Sequence, residues 1–186
     1  MADAPIPAAL PAYPVTQTGG ARSRIEEEVV AMFDEFRGRL LRYLIGFGLA
    51  AADAEEVIQE VFLSLFLHLE RGKSRQNLRG WLFRVAHNLA LKRRLRERAD
   101  PRADRAAEDS AADPAPNPED QALQKQRQKR VLAVYRALPE RDRRCLWLRA
   151  EGLNYREIAG VLEISLGAVA LSLARSLARI ERGAES

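Results

Sequence analysis

Apolar residues recur at three- and four-residue steps from Arg24 onward: Ile25, Val29, Phe33, Phe36, Leu40, Leu44 and Phe47 share one face of a predicted helix. Gly46 and Gly48 are expected to end it. A second helix reads from about Asp53, taken as its N-cap with Glu56 at the capping-box position, to about Leu69. Its core stripe is Val57, Ile58, Val61, Phe62 and Leu65. Residues 70–77 (ERGKSRQN) form a polar, basic loop, and a third helix follows over residues 78–98. There Leu78, Leu82, Val85 and Leu89 are expected inward with Trp81 at the border, leaving Arg79, Phe83, Arg84, His87, Asn88 and Arg94 on or near the outer face.

Residues 99–120 hold four prolines and many alanines and show no helical period, which predicts a flexible linker without a core of its own. Beyond it the helical pattern resumes over residues 121–138, then Glu140–Ala150 with Pro139 at its start and Gly152 as its stop. Tyr155–Leu162 and residues 166–182 read as two further helices around the turn Glu163-Ile164-Ser165. Residues 1–23, with four prolines, read as a flexible tail. No strand-like alternation and no internal repeat is visible. The expected fold is all-α: a helical domain over 24–98 and a second over 121–186, joined by the linker, the second built around a helix-turn-helix.

Charge sharpens this picture. The whole chain of 186 residues carries a net charge of only +4, yet residues 71–98 hold ten Lys/Arg against one Glu. Residues 24–70 hold four Lys/Arg against ten Asp/Glu, and the linker two against seven. A one-sided basic run suits a phosphate backbone, whose condensed counterions it releases. The acidic run before it cannot lie on the same polyanion and points to a second, basic partner. One cysteine, Cys145, excludes a disulfide scaffold and a cysteine-built zinc site, and two histidines leave little for metal or general-base chemistry. Without a glycine-rich phosphate loop, a metal cluster or a nucleophile–base pair, no enzyme and no cofactor is expected. Neither a secretory signal nor a membrane-length apolar run is visible, so a cytoplasmic protein is expected.

Three surfaces are candidates for function. On the second helix Asp53, Glu56, Gln59, Glu60, Leu63 and Leu67 lie opposite the core stripe, and acids mixed with leucines suit a docking face for a basic helix. On the third, Phe83 among arginines suits unstacked bases, with His87 and Asn88 able to hydrogen-bond base edges. In the last helix Leu166, Val169, Leu173, Leu177 and Ile180 are expected inward, and Ala168, Leu171, Ser172, Arg175 and Arg179 outward toward a DNA major groove. Glu163 stands where such a turn often has glycine, and a left-handed backbone suits it poorly.

Together the stretches DAEEVIQEVFLSLF (53–66), NLRGWLFRVAHNLALKRRLR (77–96) and LPERDRRCLWLRAEGLNYREIAGVLEISLGAV (138–169) resemble the two-domain bacterial RNA polymerase sigma factors of the extracytoplasmic-function type. The resemblance implies that the acidic helix binds core RNA polymerase through Asp53, Glu56, Gln59, Glu60 and Leu63. It implies that Lys73, Arg75, Asn77, Arg79, Phe83, Arg84, His87 and Asn88 hold the melted −10 element of promoter DNA. Ala168, Leu171, Ser172, Arg175 and Arg179 would dock on the −35 element. An anti-sigma factor is a further expected partner. The family often has an acid where Lys92 stands, and more polar or basic residues where Ala168, Ala170 and Ser172 stand, which implies weaker −35 readout. The competing reading is a stand-alone helix-turn-helix regulator, which leaves the acidic helix without a role.

Overall fold

The computed structural model describes residues 18–99 and 129–185. The first group forms α1 (Thr18–Phe47), α2 (Ala51–Glu70) and α3 (Leu78–Ala99). The second forms α4 (residues 129–136), α5 (Glu140–Ala150), α6 (Tyr155–Leu162) and α7 (Leu166–Glu185). The fold is all-α with two helical domains, as the periodicity predicts. The linker expectation falls outside the described residues, apart from Ala99, the last residue of α3.

α1 begins at Thr18, inside the stretch that reads as a tail. It stops where Gly48 takes φ 102°, a backbone that side chains resist, and Leu49 N–H turns back to the carbonyl of Leu44 at 3.1 Å. α1 packs on α2 through Leu40, Leu44, Val57, Ile58, Val61 and Leu65, all at or near zero exposure, with Phe33 and Phe62 meeting edge to face at 5.0 Å. Burying that many branched side chains, at about 1.5–3 kcal/mol each, is the main force holding the hairpin. The start of α2 differs from expectation. Ala50 is the N-cap and makes no side-chain cap bond, whereas Asp53 lies in the first turn, where its carboxylate pairs with Arg93. An acid there still favours the helix dipole, so the residue serves the N-terminus by charge and not by capping.

α3 is rolled relative to the orientation its period predicts. Its fully buried residues are Leu82, Phe83, Ala86 and Ala90, with His87 only 4% exposed, while Leu78, Val85 and Leu89 are half-buried. Phe83 meets the Tyr43 ring at 5.6 Å, and the Tyr43 hydroxyl and His87 Nδ1 are 2.7 Å apart. A helix held between α1 and α2 on one side and α6 on another has two buried flanks, and its small residues Ala86 and Ala90 let α3 approach closely. The buried residues of both domains form one contiguous cluster.

Candidate nucleic-acid interface and docking face

The acidic side of α2 is laid out as its periodicity implies. With Val57, Ile58, Val61 and Leu65 inward, Glu56, Gln59, Glu60, Leu63 and Leu67 are exposed and Asp53 is half-buried. Leu63 is 61% exposed, with Leu67 one turn on at 36%, so two leucines lie together among the acids on this side of the helix. Arg93 of α3 contacts both Asp53 and Glu56, the latter at 2.8 Å, and so covers one end of the stripe. Gln59, Glu60 and Leu63 stand clear of it.

The basic loop and α3 divide into available and engaged residues. Lys73, Arg84 and Asn88 are exposed, the last two one helical turn apart. Arg75 is exposed but pairs with Glu28 at 3.2 Å. Asn77 sits in a left-handed conformation (φ 55°), and its Oδ1 accepts from Gly80 N–H at 3.1 Å, so it caps α3. Arg79 is half-buried and bonds Glu157 of α6 at 3.1 and 3.3 Å. Two expectations are corrected here. Phe83 does not project among the arginines but lies at zero exposure in the core. His87 is buried as well. Burial, then the nearby Arg144 charge, lower its pKa to about 4, so its ring is neutral and bonded to Tyr43 at neutral pH. Burial likewise pushes the Tyr43 phenol above its usual range. A π-face and a base-edge donor that the spacing places outside thus belong to the interior.

The helix-turn-helix is regular in its first half. Asn154 caps α6, its Oδ1 accepting from Glu157 N–H at 3.0 Å while the Glu157 carboxylate accepts from Asn154 N–H at 2.6 Å. The chain then bends by 105° into α7, within the range of such units. Glu163 makes the turn in the left-handed region, at φ 55° and ψ 43°. α7 is rolled as α3 is. Val169, Ser172, Leu173 and Ser176 are buried, Ala168 is half-buried, and Leu166, Leu171 and Leu177 are 47%, 56% and 50% exposed. Leu166 and Leu177 are therefore not core residues. Ser172, expected outward, lies at zero exposure and donates to Asp142 Oδ1 of α5 at 2.7 Å. The small Ser172 and Ser176 let α7 approach α5 closely. Leu171, Arg175 and Arg179 remain on the outside.

Sequence reasoning reads Arg79 and Arg94 only as outward residues of the basic helix and passes over Arg39 and the carboxylates that meet all three from the other domain. Arg39 Nε bonds the Glu151 carboxylate at 2.9 Å, Arg79 bonds Glu157, and Arg94 bonds Glu140. Gly46 of α1 faces the Trp147 ring so closely that a Cβ there would stand 2.9 Å from it. Nothing in the spacing of these residues along the chain links them, since each pair joins the two domains. Asp142, only 3% exposed, was also missed, as a lone acid in a charged stretch carries no sign of burial. Among the described residues no group of three His, Cys, Asp or Glu is placed to hold a metal ion, and no single helix is long and apolar enough to cross a membrane.

Comparison with known proteins places this arrangement. Residues 32–99 match the family model for Sigma-70 region 2, and residues 128–180 that for Sigma-70, region 4, together about two thirds of the chain. Over 81 residues the chain is 33% identical to the ECF RNA polymerase sigma factor SigL of Mycobacterium tuberculosis strains, covering 43% of this chain and 46% of that protein. The match thus spans about half the length of those relatives. Two of the solved structures that share the fold illustrate it. One is CnrH in complex with the cytosolic domain of CnrY, at 21% identity and TM-score 0.58, over 88% of this chain and 92% of that one. The other is the sigma factor RpoE in complex with the anti-sigma factor NepR from Bartonella quintana, at 19% identity and TM-score 0.60, over 88% and 98%. With a region 2 and a region 4 in that order and a relative of the same type, the chain belongs to the sigma-70 family of transcription initiation factors, in its extracytoplasmic-function group.

Proposed function

We propose that the chain binds core RNA polymerase, directs it to specific promoters and assists strand opening at the −10 element. The observation that carries this reading is the exposed stripe Glu56, Gln59, Glu60 and Leu63 on a helix whose other side is wholly core. Acids around an unpacked leucine suit a basic helical partner, as charge steers the encounter and the leucine supplies apolar contact. Asp53 supports the edge of this face through Arg93.

On α3, Arg84 and Asn88 with Lys73 offer cations and an amide to a separated strand, and capture of that strand offsets the cost of unpairing it. Phe83 and His87, being interior, act here only by holding α3 in place. In the second domain Leu171, Arg175 and Arg179, flanked by Ala168, face outward to meet the −35 duplex, while Ser172 positions α7 from inside. Asn77, Arg75 and Arg79 belong to the −10 surface in this reading, each after release from its present partner or cap. Since RpoE is held by the anti-sigma factor NepR, a protein inhibitor of that kind is a further partner of the same reading.

The test is co-purification with core polymerase followed by run-off transcription. Replacing Glu56 and Glu60 together by Arg should abolish holoenzyme formation while leaving the helical signal and thermal stability intact. Wild-type protein that footprints duplex DNA alone, and never associates with polymerase, would instead make it a stand-alone helix-turn-helix regulator.

A further inference from the structure

From Leu166 to Ala174 the outer side of α7 carries no side chain able to form a hydrogen bond. Leu166, Gly167, Ala170, Leu171 and Ala174 are exposed there, and the hydroxyl of Ser172 is turned inward onto Asp142. The two leucines are 47% and 56% exposed. Just ahead of the helix, the Ser165 hydroxyl accepts from Ala168 N–H at 3.1 Å and is occupied in capping α7. Arg175 and Arg179 follow Leu171 at successive four-residue steps, both exposed, so cations continue the row that the leucine begins. Arg175 also lies 3.9 Å from the buried carboxylate of Asp142, which tethers it to α5. α7 packs on α5 and α6 with its other side.

The cations in line with this face match a phosphate backbone, and in a helix-turn-helix the start of the second helix meets the base edges. There the chemistry of the bases decides what an apolar surface can read. Every base pair presents donors and acceptors in the major groove, but thymine alone adds a methyl group. A leucine set against guanine O6 or the cytosine amino group strips water from a polar atom and returns no partner, which is costly. Set against a thymine methyl, it buries apolar surface on apolar surface. We infer that α7 reads the −35 duplex through thymine methyl groups, with Leu166 and Leu171 as specificity-determining residues, so the element it selects is rich in thymine and poor in G·C pairs. This deepens the reading above and rests on it. Ala170 and Ala174 keep the helix surface low between the leucines, and Arg175 and Arg179 hold the backbone.

The experiment assembles the full chain with core polymerase and selects bound duplexes from a pool randomised upstream of the start site. The recovered upstream block should be thymine-rich. It is then resynthesised with uracil in place of thymine, which removes the methyl groups and leaves base pairing unchanged. Wild type should lose affinity about fourfold for each methyl contacted. Leu171→Ala should bind the two duplexes within about twofold of each other, whereas Leu171→Met, which keeps the apolar contact, should retain most of the penalty. Leu171 is exposed, so neither change should alter the helical signal. A block rich in G·C pairs, equal binding of thymine and uracil duplexes by wild type, or a full uracil penalty in Leu171→Ala overturns the inference. So does a Leu171→Ala chain that no longer assembles with polymerase, since the face is then a protein-docking surface. Failure of the parent reading looks different: the wild-type chain never assembles with core polymerase, and the same uracil comparison, made with the chain alone, then decides whether α7 reads methyl groups.

Discussion

α2 and α7 are both twenty-residue helices with a leucine-rich period, yet only α2 presents the face its period implies. In α2 the predicted core stripe is the buried one, and the acids and Leu63 lie outside. In α7 two serines are buried and three leucines are half exposed. The difference lies in what each helix packs against. α2 leans on an apolar hairpin partner, so its most apolar side turns to the core. α7 must lie close to α5, where a small side chain fits and a leucine does not, and there the Ser172 hydroxyl is bonded to Asp142. α3 repeats the lesson on the first domain, where Phe83 and His87 are drawn inward by Tyr43.

The sharpest way to break this comparison is to truncate one side chain of each kind. Phe83→Ala empties a site at zero exposure and should cost about 3–5 kcal/mol of unfolding free energy, measured by urea denaturation. Leu63→Ala on α2 should change stability by less than about 0.5 kcal/mol while weakening polymerase association. Equal losses from both would mean that Phe83 is not the interior ring and Leu63 not the outer one.

Next in size is a pH effect from His87. Its pKa is about 4 in the folded chain against an ordinary 6.5, so between those values the unfolded chain binds the extra proton. Stability therefore rises with pH across that window and is fully gained above it. The contribution approaches about 3 kcal/mol. Denaturation midpoints at pH 4.5 and pH 7 should differ in wild type by more than in His87→Gln, and parallel pH profiles would show that the ring is not buried neutral.

On α7 the comparison turns on one hydroxyl. Ser172→Ala removes the donor to Asp142, whose carboxylate stays buried, and should cost about 1–3 kcal/mol. Arg179→Ala, on the exposed side, should leave stability within about 0.5 kcal/mol and instead weaken duplex DNA binding. If Ser172→Ala were neutral for folding but harmful to DNA binding, Ser172 would face the groove as the helical period alone implies.

Much of this molecule is legible in its sequence. The limits of α5 and α6, the turn at Glu163, the α2 face and the order of the three motif stretches all come from local period, caps and breakers, which act within a few residues. What escaped depends on partners distant in sequence. The roll of α3 needs Tyr43, the roll of α7 needs Asp142, and the contact between the domains needs Arg39 to meet Glu151, 112 residues away in sequence. Polar residues on a helix look alike in sequence whether they face water or a carboxylate from another domain.

The smallest predicted effects separate two residues that share one backbone conformation. Asn77 and Glu163 both have φ 55°, one in each domain. At Asn77 the side chain compensates for the left-handed backbone by capping α3, so Asn77→Gly should lose a few tenths of a kcal/mol. Glu163 is exposed and no cap bond accompanies its side chain, leaving the left-handed cost of roughly 1–2 kcal/mol largely unrelieved. Glu163→Gly removes that strain and gives back part of it through the looser unfolded chain, for a net gain of about 0.5–1 kcal/mol. Thermal melts should therefore move in opposite directions for the same substitution. Two shifts of the same sign would mean that the turn of the helix-turn-helix is held by something other than its backbone.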